Sequence, residues 1–288
     1  MRIPLPPVPL PDHLVEVARE FEAGAREPAE PRNAATVVLM RPAADGPEVY
    51  LLRRQVSMEF AGGMCVFPGG GVDKRDFDAT VAWAGPSPGE WAARLGTNED
   101  TARALVCAAV RETFEESGVL LAGTSDTNVV ADTTGDEWES DRHALESREL
   151  AMTDFLTRRG LVLRTDLLGA WDAWLTPVFE PKRYRTWFFV ATLPEGQLTR
   201  DVSTESSSVH WAPARVAADE ADRGELAMLP PTYLTCLEIG QHSEPDEVLA
   251  VAQGRTLEMF TPSVEPLGGG FTLSMPDRLR PLVAERRR

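Results

Sequence analysis

The stretch from Val66 to Val119 constrains this chain more than any other. It opens with Val66-Phe67-Pro68-Gly69-Gly70-Gly71 and closes with Arg111-Glu112-Thr113-Phe114-Glu115-Glu116-Ser117-Gly118-Val119. Glu112, Glu115 and Glu116 stand at i, i+3 and i+4, so on a helix they project from one face within about one turn. Such a cluster repels itself, by a few tenths of a kcal/mol per pair in water and by more as the site dries out. A charged solvent face is the ordinary outcome for such a pattern. If the cluster is instead enclosed, a cation must balance it, and an oxygen-only donor set suits Mg²⁺ or Mn²⁺ rather than zinc.

The local sequence supports a helix there. Thr97-Asn98-Glu99-Asp100 offers an N-cap followed by acids in the first turn, and Gly118 is a natural terminator. A helix is therefore predicted over about 99–117, with Val106, Val110 and Thr113 as its core stripe and Glu112 and Glu116 roughly opposite, facing a cleft. The intervening Val72–Gly96, rich in Pro and Gly, reads as an inserted loop with broken helical turns.

Around this stretch the chain alternates strand-like and helix-like segments. Ala35–Met40 and Glu48–Arg54 read as paired strands about a Gly46-Pro47 turn, Met64–Phe67 as a third short strand, Trp187–Leu193 as a central strand and Ser208–Trp211 as another. Helices are predicted over 12–23, 137–159, 215–225 and 233–240, the last opened by Leu229-Pro230-Pro231-Thr232. Leu161–Trp174 reads as a short connecting element. The tail carries β-like pieces at 257–260 and 271–275, a glycine loop at 268–270 and a basic end at Arg286-Arg287-Arg288.

Charge and cysteine content exclude several classes. With 45 acidic against 29 basic residues the net charge is −16, so neither a nucleic-acid backbone nor an anionic membrane is an expected partner. A phosphorylated small molecule stays open, provided that a bound cation and a few local arginines meet it. The three cysteines are dispersed without C-x-x-C spacing, so neither a disulfide framework nor a zinc site is expected, and a reducing cytoplasm is the simplest setting. The proline-rich start lacks an apolar run behind Arg2, which predicts no secretory leader, and no apolar window is long enough to span a bilayer. No serine or cysteine nucleophile motif appears.

The glycine turn, the Arg-Glu pair, the Glu-Glu pair and the terminal glycine together resemble the Nudix box, G-x5-E-x7-R-E-U-x-E-E-x-G-U with U a bulky aliphatic. Gly70 matches the first glycine, Arg111 and Glu112 the R-E, Glu115 and Glu116 the E-E, Gly118 the last glycine and Val119 the final U, with Asp76 where the first glutamate is expected. Thr113 replaces an aliphatic residue, and 34 residues (77 to 110) separate Asp76 from Arg111 where the pattern has seven. That interruption, with Trp174-Leu175-Thr176-Pro177, Lys182–Phe189 and Leu229-Pro230-Pro231-Thr232, resembles the branch containing the peroxisomal type of coenzyme A diphosphatase.

The resemblance implies an α/β fold, a Nudix-type α/β/α sandwich around a mixed sheet. It spans 34–240, with insertions at about 77–98 and 137–160, an N-terminal arm at 1–33 and a C-terminal extension at 241–288 packed on the same domain. It also implies metal-dependent hydrolysis of a nucleoside diphosphate linked to another moiety, with coenzyme A or acyl-CoA foremost. The alternatives are a pyrophosphatase for ADP-ribose, NADH or dinucleoside polyphosphates, and a non-catalytic Nudix-like binding module. Glu112, Glu115 and Glu116 are the implied Mg²⁺ or Mn²⁺ ligands, and Arg111 orients a glutamate. Glu205 is a candidate for a further ligand or the general base, and either it or Asp76 completes the site. Candidate substrate-binding residues are Arg53 and Arg54 at a strand end, Gly69 and Gly70, and Arg183 and Arg185 in the basic cluster; for the arginines the competing outcome is solvation. The expected partner is thus a small nucleotide diphosphate, with a homodimer left open.

Overall fold

The computed structural model describes residues 5–7, 9–58 and 61–287; the first four residues of the arm and the terminal Arg288 lie outside them. In chain order the helix α1 (Asp12–Glu22) is followed by β1 (Arg32–Arg41), β2 (Glu48–Arg54), β3 (Cys65–Val66) and β4 (Gly69–Gly71). Next come β5 (Trp83–Ala84), α2 (Pro88–Leu95), α3 (Glu99–Ser117), β6 (Ala122–Gly123), α4 (Asp136–Glu146), α5 (Met152–Arg159) and β7 (Val162–Arg164). The chain then continues through β8 (Gly169–Leu175), β9 (Tyr184–Thr192), β10 (Ser206–Pro213), α6 (Ala214–Arg223), α7 (Pro230–Ile239) and α8 (Pro245–Gln253). The hairpin β11 (Val264–Leu267) and β12 (Gly270–Leu273) and the helix α9 (Arg280–Arg286) complete it.

A seven-stranded sheet in the order β10-β2-β1-β9-β8, with β3 on β2 and β4 on β1, forms the middle layer. The β1–β9 pair is parallel and the others antiparallel, so the sheet is mixed and both faces need cover. Strand alternation supplies two apolar faces: Ala35, Val37 and Leu39 of β1 look toward α2, α3 and α5, while Val38 and Met40 look toward α6, α7 and α8. The result is an α/β/α sandwich. None of the described helices is long and apolar enough to cross a membrane.

α3 begins and ends where its caps predict: the Asn98 side chain accepts from the Thr101 amide, and Gly118 takes φ +74°, a left-handed torsion that disfavours any Cβ. Its packing differs from the one-striped expectation. Residues 104–117 are buried all round, because α2 and α4 close over the flanks of the helix and the glycine strand covers its last turns.

Several segments gain structure that the pattern did not announce. Within Val72–Gly96, α2 is held by a Ser87–Glu90 capping box and puts Trp91 and Leu95 into the core, and β5 pairs with β7. The helix expected over 137–159 is two, α4 and α5, broken where Arg148 takes φ +62°. Leu161–Trp174 is not a connector but holds β7 and β8, the latter paired along its length with β9. In the tail α8 packs on β8 and β9, and Phe260 bridges to Trp174. The arm and tail also meet: Leu10 N donates to Phe271 O.

Candidate active site

Pairing of β4 with β1 lays Gly69–Gly71 across the last turns of α3. The approach is too close for side chains. A Cβ on Gly70 would sit 2.5 Å from Glu112 Oε1, and one on Gly69 would sit 2.5 Å from the Ala35 carbonyl oxygen. The Gly69 amide donates to Glu116 Oε2 at 2.7 Å. Thus the glycine run brings backbone N–H groups against the box carboxylates.

Arg111 organises the rest. Its Nε and Nη2 donate to the two oxygens of Asp76 at 3.1 and 2.9 Å, Nη2 also reaches the Gly71 carbonyl at 3.0 Å, and Nη1 donates to Glu112 at 2.8 Å and to Glu115 at 3.2 Å. Asp76 is only 2% exposed and sits on a single helical turn, Lys74–Phe77, where it also accepts from the Asp73 amide and the Cys107 thiol. The long insertion therefore leaves Asp76 in register with Arg111, as its fork-to-fork partner.

Burial raises the carboxyl pKa of all three box glutamates. Glu115 is pushed up to about 8 by desolvation and then by Glu112, with Arg111 pulling the other way. Glu116 is held well above the carboxylate range by desolvation and Glu112, against the Gly69 amide, and Glu112 is raised by desolvation although Arg111 opposes it. Arg111 thus faces three enclosed carboxyl groups, and Glu116 beside them has the Gly69 amide and the nearby charge of Arg54.

That charge excess and the all-oxygen donor set fit a divalent cation. In the arrangement seen, Glu112 and Glu115 turn to Arg111 and Glu116 to Gly69; among the described residues no three acidic, His or Cys side chains converge on one ligand cage. To hold an ion together, these carboxylates would have to turn from Arg111 and Gly69.

The other candidates separate. Arg54 lies on the same sheet face as Tyr50 and Leu52, and its Nη2 meets Glu205 Oε2 at 3.0 Å beside Glu116, while its Nε is buried without a partner. The alternation that aims Arg54 at the box turns Arg53 to the opposite face, toward Cys65 and His210, so the two do not act together. Arg183, 6% exposed, spends its donors on the Thr176 and Ala29 carbonyls, anchoring the arm. Arg185 reaches Pro31 O and Glu30; because Ala34 pairs with both Gly71 and Thr186, the start of β9 lies about 10 Å, two strand spacings, from the glycine strand.

The sequence reading passed over Arg142, Arg200 and Tyr50. Arg142 is fully buried and donates to the Glu115 carbonyl at 2.8 Å. Arg200 packs its guanidinium against Gly118 and pairs with Glu139, and the Tyr50 hydroxyl donates to the Arg200 carbonyl at 2.9 Å. The i−3 and i+4 spacing of Glu139 and Glu146 around Arg142 marks a helix ion pair, yet nothing local marks it as buried.

A Nudix hydrolase fold with a Nudix box is what these features define. The family model described as the NUDT19 Nudix domain matches residues 90–238, and the chain belongs to that family. It is 28% identical over 220 residues to the putative nudix hydrolase 7 of Caenorhabditis elegans, covering 75% of this chain and 62% of that protein, which is therefore the longer of the two. It is 22% identical over 277 residues to the acyl-coenzyme A diphosphatase NUDT19 of Xenopus laevis, covering 80% of this chain and 70% of that one. Among solved structures, a NUDIX hydrolase from Alicyclobacillus acidocaldarius superposes with a TM-score of 0.66 at 25% identity, over 77% of this chain and 96% of that one. Nudix hydrolases generally use divalent metal ions.

Proposed function

We propose that this chain hydrolyses the phosphoanhydride of a nucleoside diphosphate linked to another moiety, with Mg²⁺ or Mn²⁺, and that the substrate is coenzyme A or an acyl-CoA, cleaved to 3′,5′-ADP and a 4′-phosphopantetheine. The observation that carries the reaction class is the enclosed excess of carboxylate around Arg111 beneath the glycine strand. The naming of two relatives as acyl-coenzyme A diphosphatases supports the choice of substrate.

Glu112, Glu115 and Glu116 would hold the ion. When bound, it would neutralise diphosphate charge and lower the pKa of an attacking water. Arg111 and Asp76 fix the glutamates by charge-assisted hydrogen bonds and do not touch substrate. The Gly69 amide holds Glu116 in place, and Gly70 admits Glu112 to the backbone. Arg54, partly exposed beside Glu116, would bring its positive charge to a diphosphate oxygen at the mouth of the site. Glu205 is our candidate to accept a proton from water, a role supported by its exposure and its position beside Glu116. Arg185 serves the nucleotide end; Arg53 and Arg183 are given no role. The three cysteines are buried free thiols, which suits a reducing cytoplasm.

The test is a panel of CoA, acyl-CoAs, ADP-ribose, NADH and dinucleoside polyphosphates with either ion, products identified by mass. CoA esters should turn over fastest and release 3′,5′-ADP. Rapid turnover of another diphosphate with CoA esters untouched overturns the substrate and keeps the reaction class. Inertness toward the whole panel with metal-dependent ligand binding retained overturns both.

A further inference from the structure

Glu205 stands on a loop that the box helix holds only at its start, where the Arg200 amide donates to Ser117 O. The segment 200–206 runs between two supports. On the sheet side Gln55 N donates to Glu205 O at 2.9 Å, Gln55 Nε2 donates to Thr204 O at 2.7 Å, and Arg54 pairs with the Glu205 carboxylate. On the other side lies α4, the helical insertion. Glu146 Oε1 accepts from both the Thr204 amide, at 3.0 Å, and the Thr204 hydroxyl, at 2.7 Å.

The second oxygen of Glu146 faces Arg142 Nη1 at 3.0 Å, and the same Nη1 donates to the carbonyl of Glu115 in the box helix at 2.8 Å. Arg142 also binds Glu139 through Nε and Nη2, and Glu139 in turn pairs with Arg200, whose amide donates to Ser117 O. Two arginines therefore meet two glutamates, a balanced set in which the donors of Arg142 are all committed. A buried guanidinium whose donors are all committed permits little rearrangement, so its two ends keep a fixed separation. One end is the backbone of a box residue; the other is the residue next to Glu205.

We propose that the α4 insertion is a positioning device for hydrolysis, in which Arg142 and Glu146 fix Thr204, and through it Glu205, relative to the carboxylates of α3. The proposal rests on the reading that Glu205 takes part in the reaction. It gives the insertion a task in this fold: held only at Arg200 and at Gln55, the residues between could shift as a unit, whereas the contact of Glu146 with Thr204 sets the distance across the site mouth. Displacement of a catalytic group by an ångström is worth up to about a hundredfold in rate, so loss of one tether should read in kcat.

The experiment is a double-mutant cycle on the full chain, using whichever diphosphate the wild type turns over. Glu146→Ala should lower kcat about tenfold with KM within twofold, Thr204→Val should fall between it and wild type, and Thr204→Ser should behave as wild type. In a Glu205→Ala background, Glu146→Ala should add less than a twofold further loss. Backbone amides 203–206 should exchange faster with deuterium in Glu146→Ala while those of α3 do not. Equal losses from Glu146→Ala with and without Glu205, or protection of 203–206 unchanged, overturn the positioning role and leave Glu205 in the reaction. Wild-type kcat in Glu205→Ala overturns the role of Glu205 and the proposal with it. Should Glu146→Ala fail to fold, Thr204→Val carries the same cycle.

Discussion

Two buried charge clusters lie on opposite faces of the central sheet, and they are built to different rules. On the α6–α8 face, Asp172 and Glu238 meet Arg255 and Arg278, two carboxylates for two guanidiniums, with contacts of 2.7 Å for Arg255–Glu238 and Arg278–Asp172. Asp172 further accepts from the Trp174 indole and the Ala173 amide, and Arg255 stacks on Trp171 at 3.6 Å. On the α3 face, Arg111 alone pairs with Asp76, Glu112 and Glu115, and Glu116 is met by the Gly69 amide and, without a direct pair, by the charge of Arg54. Burial raises the pKa of Asp172 as it does the box glutamates, so the direction of the shift does not distinguish the clusters. The charge count does. A balanced cluster is complete within the protein and serves the fold, whereas an unbalanced one is complete only with a cation.

The sharpest way to break this contrast is Glu116→Gln. It should lower kcat by about a thousandfold or more while leaving thermal stability without metal nearly unchanged, since burial already favours the neutral carboxyl and the amide keeps an acceptor for Gly69. Retention of more than a tenth of the activity in steady-state assays would sink the assignment. Arg278→Ala is the mirror experiment. It strands Asp172, and the expected destabilisation in urea unfolding is roughly 2–4 kcal/mol, discounted from the fully buried case because Arg278 is 41% exposed. Its kcat should stay within twofold of wild type; a large kcat effect with little stability change would mean that the two clusters do not divide function from fold.

How far such a contrast is legible in sequence depends on whether its signals are local. α3 could be read end to end, because Asn98, Gly118 and the glutamate spacing all lie on one segment. β8 could not: Gly169-Ala170-Trp171-Asp172 lacks the β-branched run that marks a strand, and its pairing comes from β9. α8 carries a local start signal, Pro245 followed by Asp246 and Glu247, in a tail whose other segments are β-like. Within the site, the spacing of the box glutamates alone reads as a solvent face; the glycine turn, Arg111 and Gly118 around them single them out, and Asp76 joins them only through the fold, where Arg111 reaches it across the insertion. The separation of Arg53 from Arg54 follows from strand period alone and was available, whereas the burial of Arg142 is tertiary and was not.

Smaller effects probe how tightly the unbalanced cluster is held. Gly70→Ala places a methyl group within 2.5 Å of Glu112 Oε1, and the carboxylate must give way. A loss of about tenfold to thirtyfold in kcat is expected, with melting temperature shifted by only a few degrees, because the neighbour that moves is a side chain and Gly70 pairs as an ordinary strand residue. Unchanged kinetics would show that the close glycine approach is incidental.

The last test asks whether the excess charge is felt in the fold itself. In the metal-free protein, burial and the neighbouring Glu112 push the Glu115 carboxyl up to about 8 from its ordinary 4.5. Between those values the folded state binds more protons than the unfolded one, so stability must fall as pH rises from about 5 to 8. Glu115→Gln removes that group, and relative to wild type it should gain roughly 1–2 kcal/mol across this interval, on the order of 5 °C in melting temperature. Mg²⁺ or Mn²⁺ should shrink the difference by stabilising the ionised wild-type carboxylate, and should do so more at pH 8 than at pH 5, since the ion binds the deprotonated form. The balanced cluster provides the control: in Arg278→Ala the effect of added metal on melting temperature should equal that in wild type. A melting-temperature gap between wild type and Glu115→Gln that does not change with pH would mean that Arg111 already neutralises Glu115, and the imbalance would then reside in Glu112 and Glu116 alone.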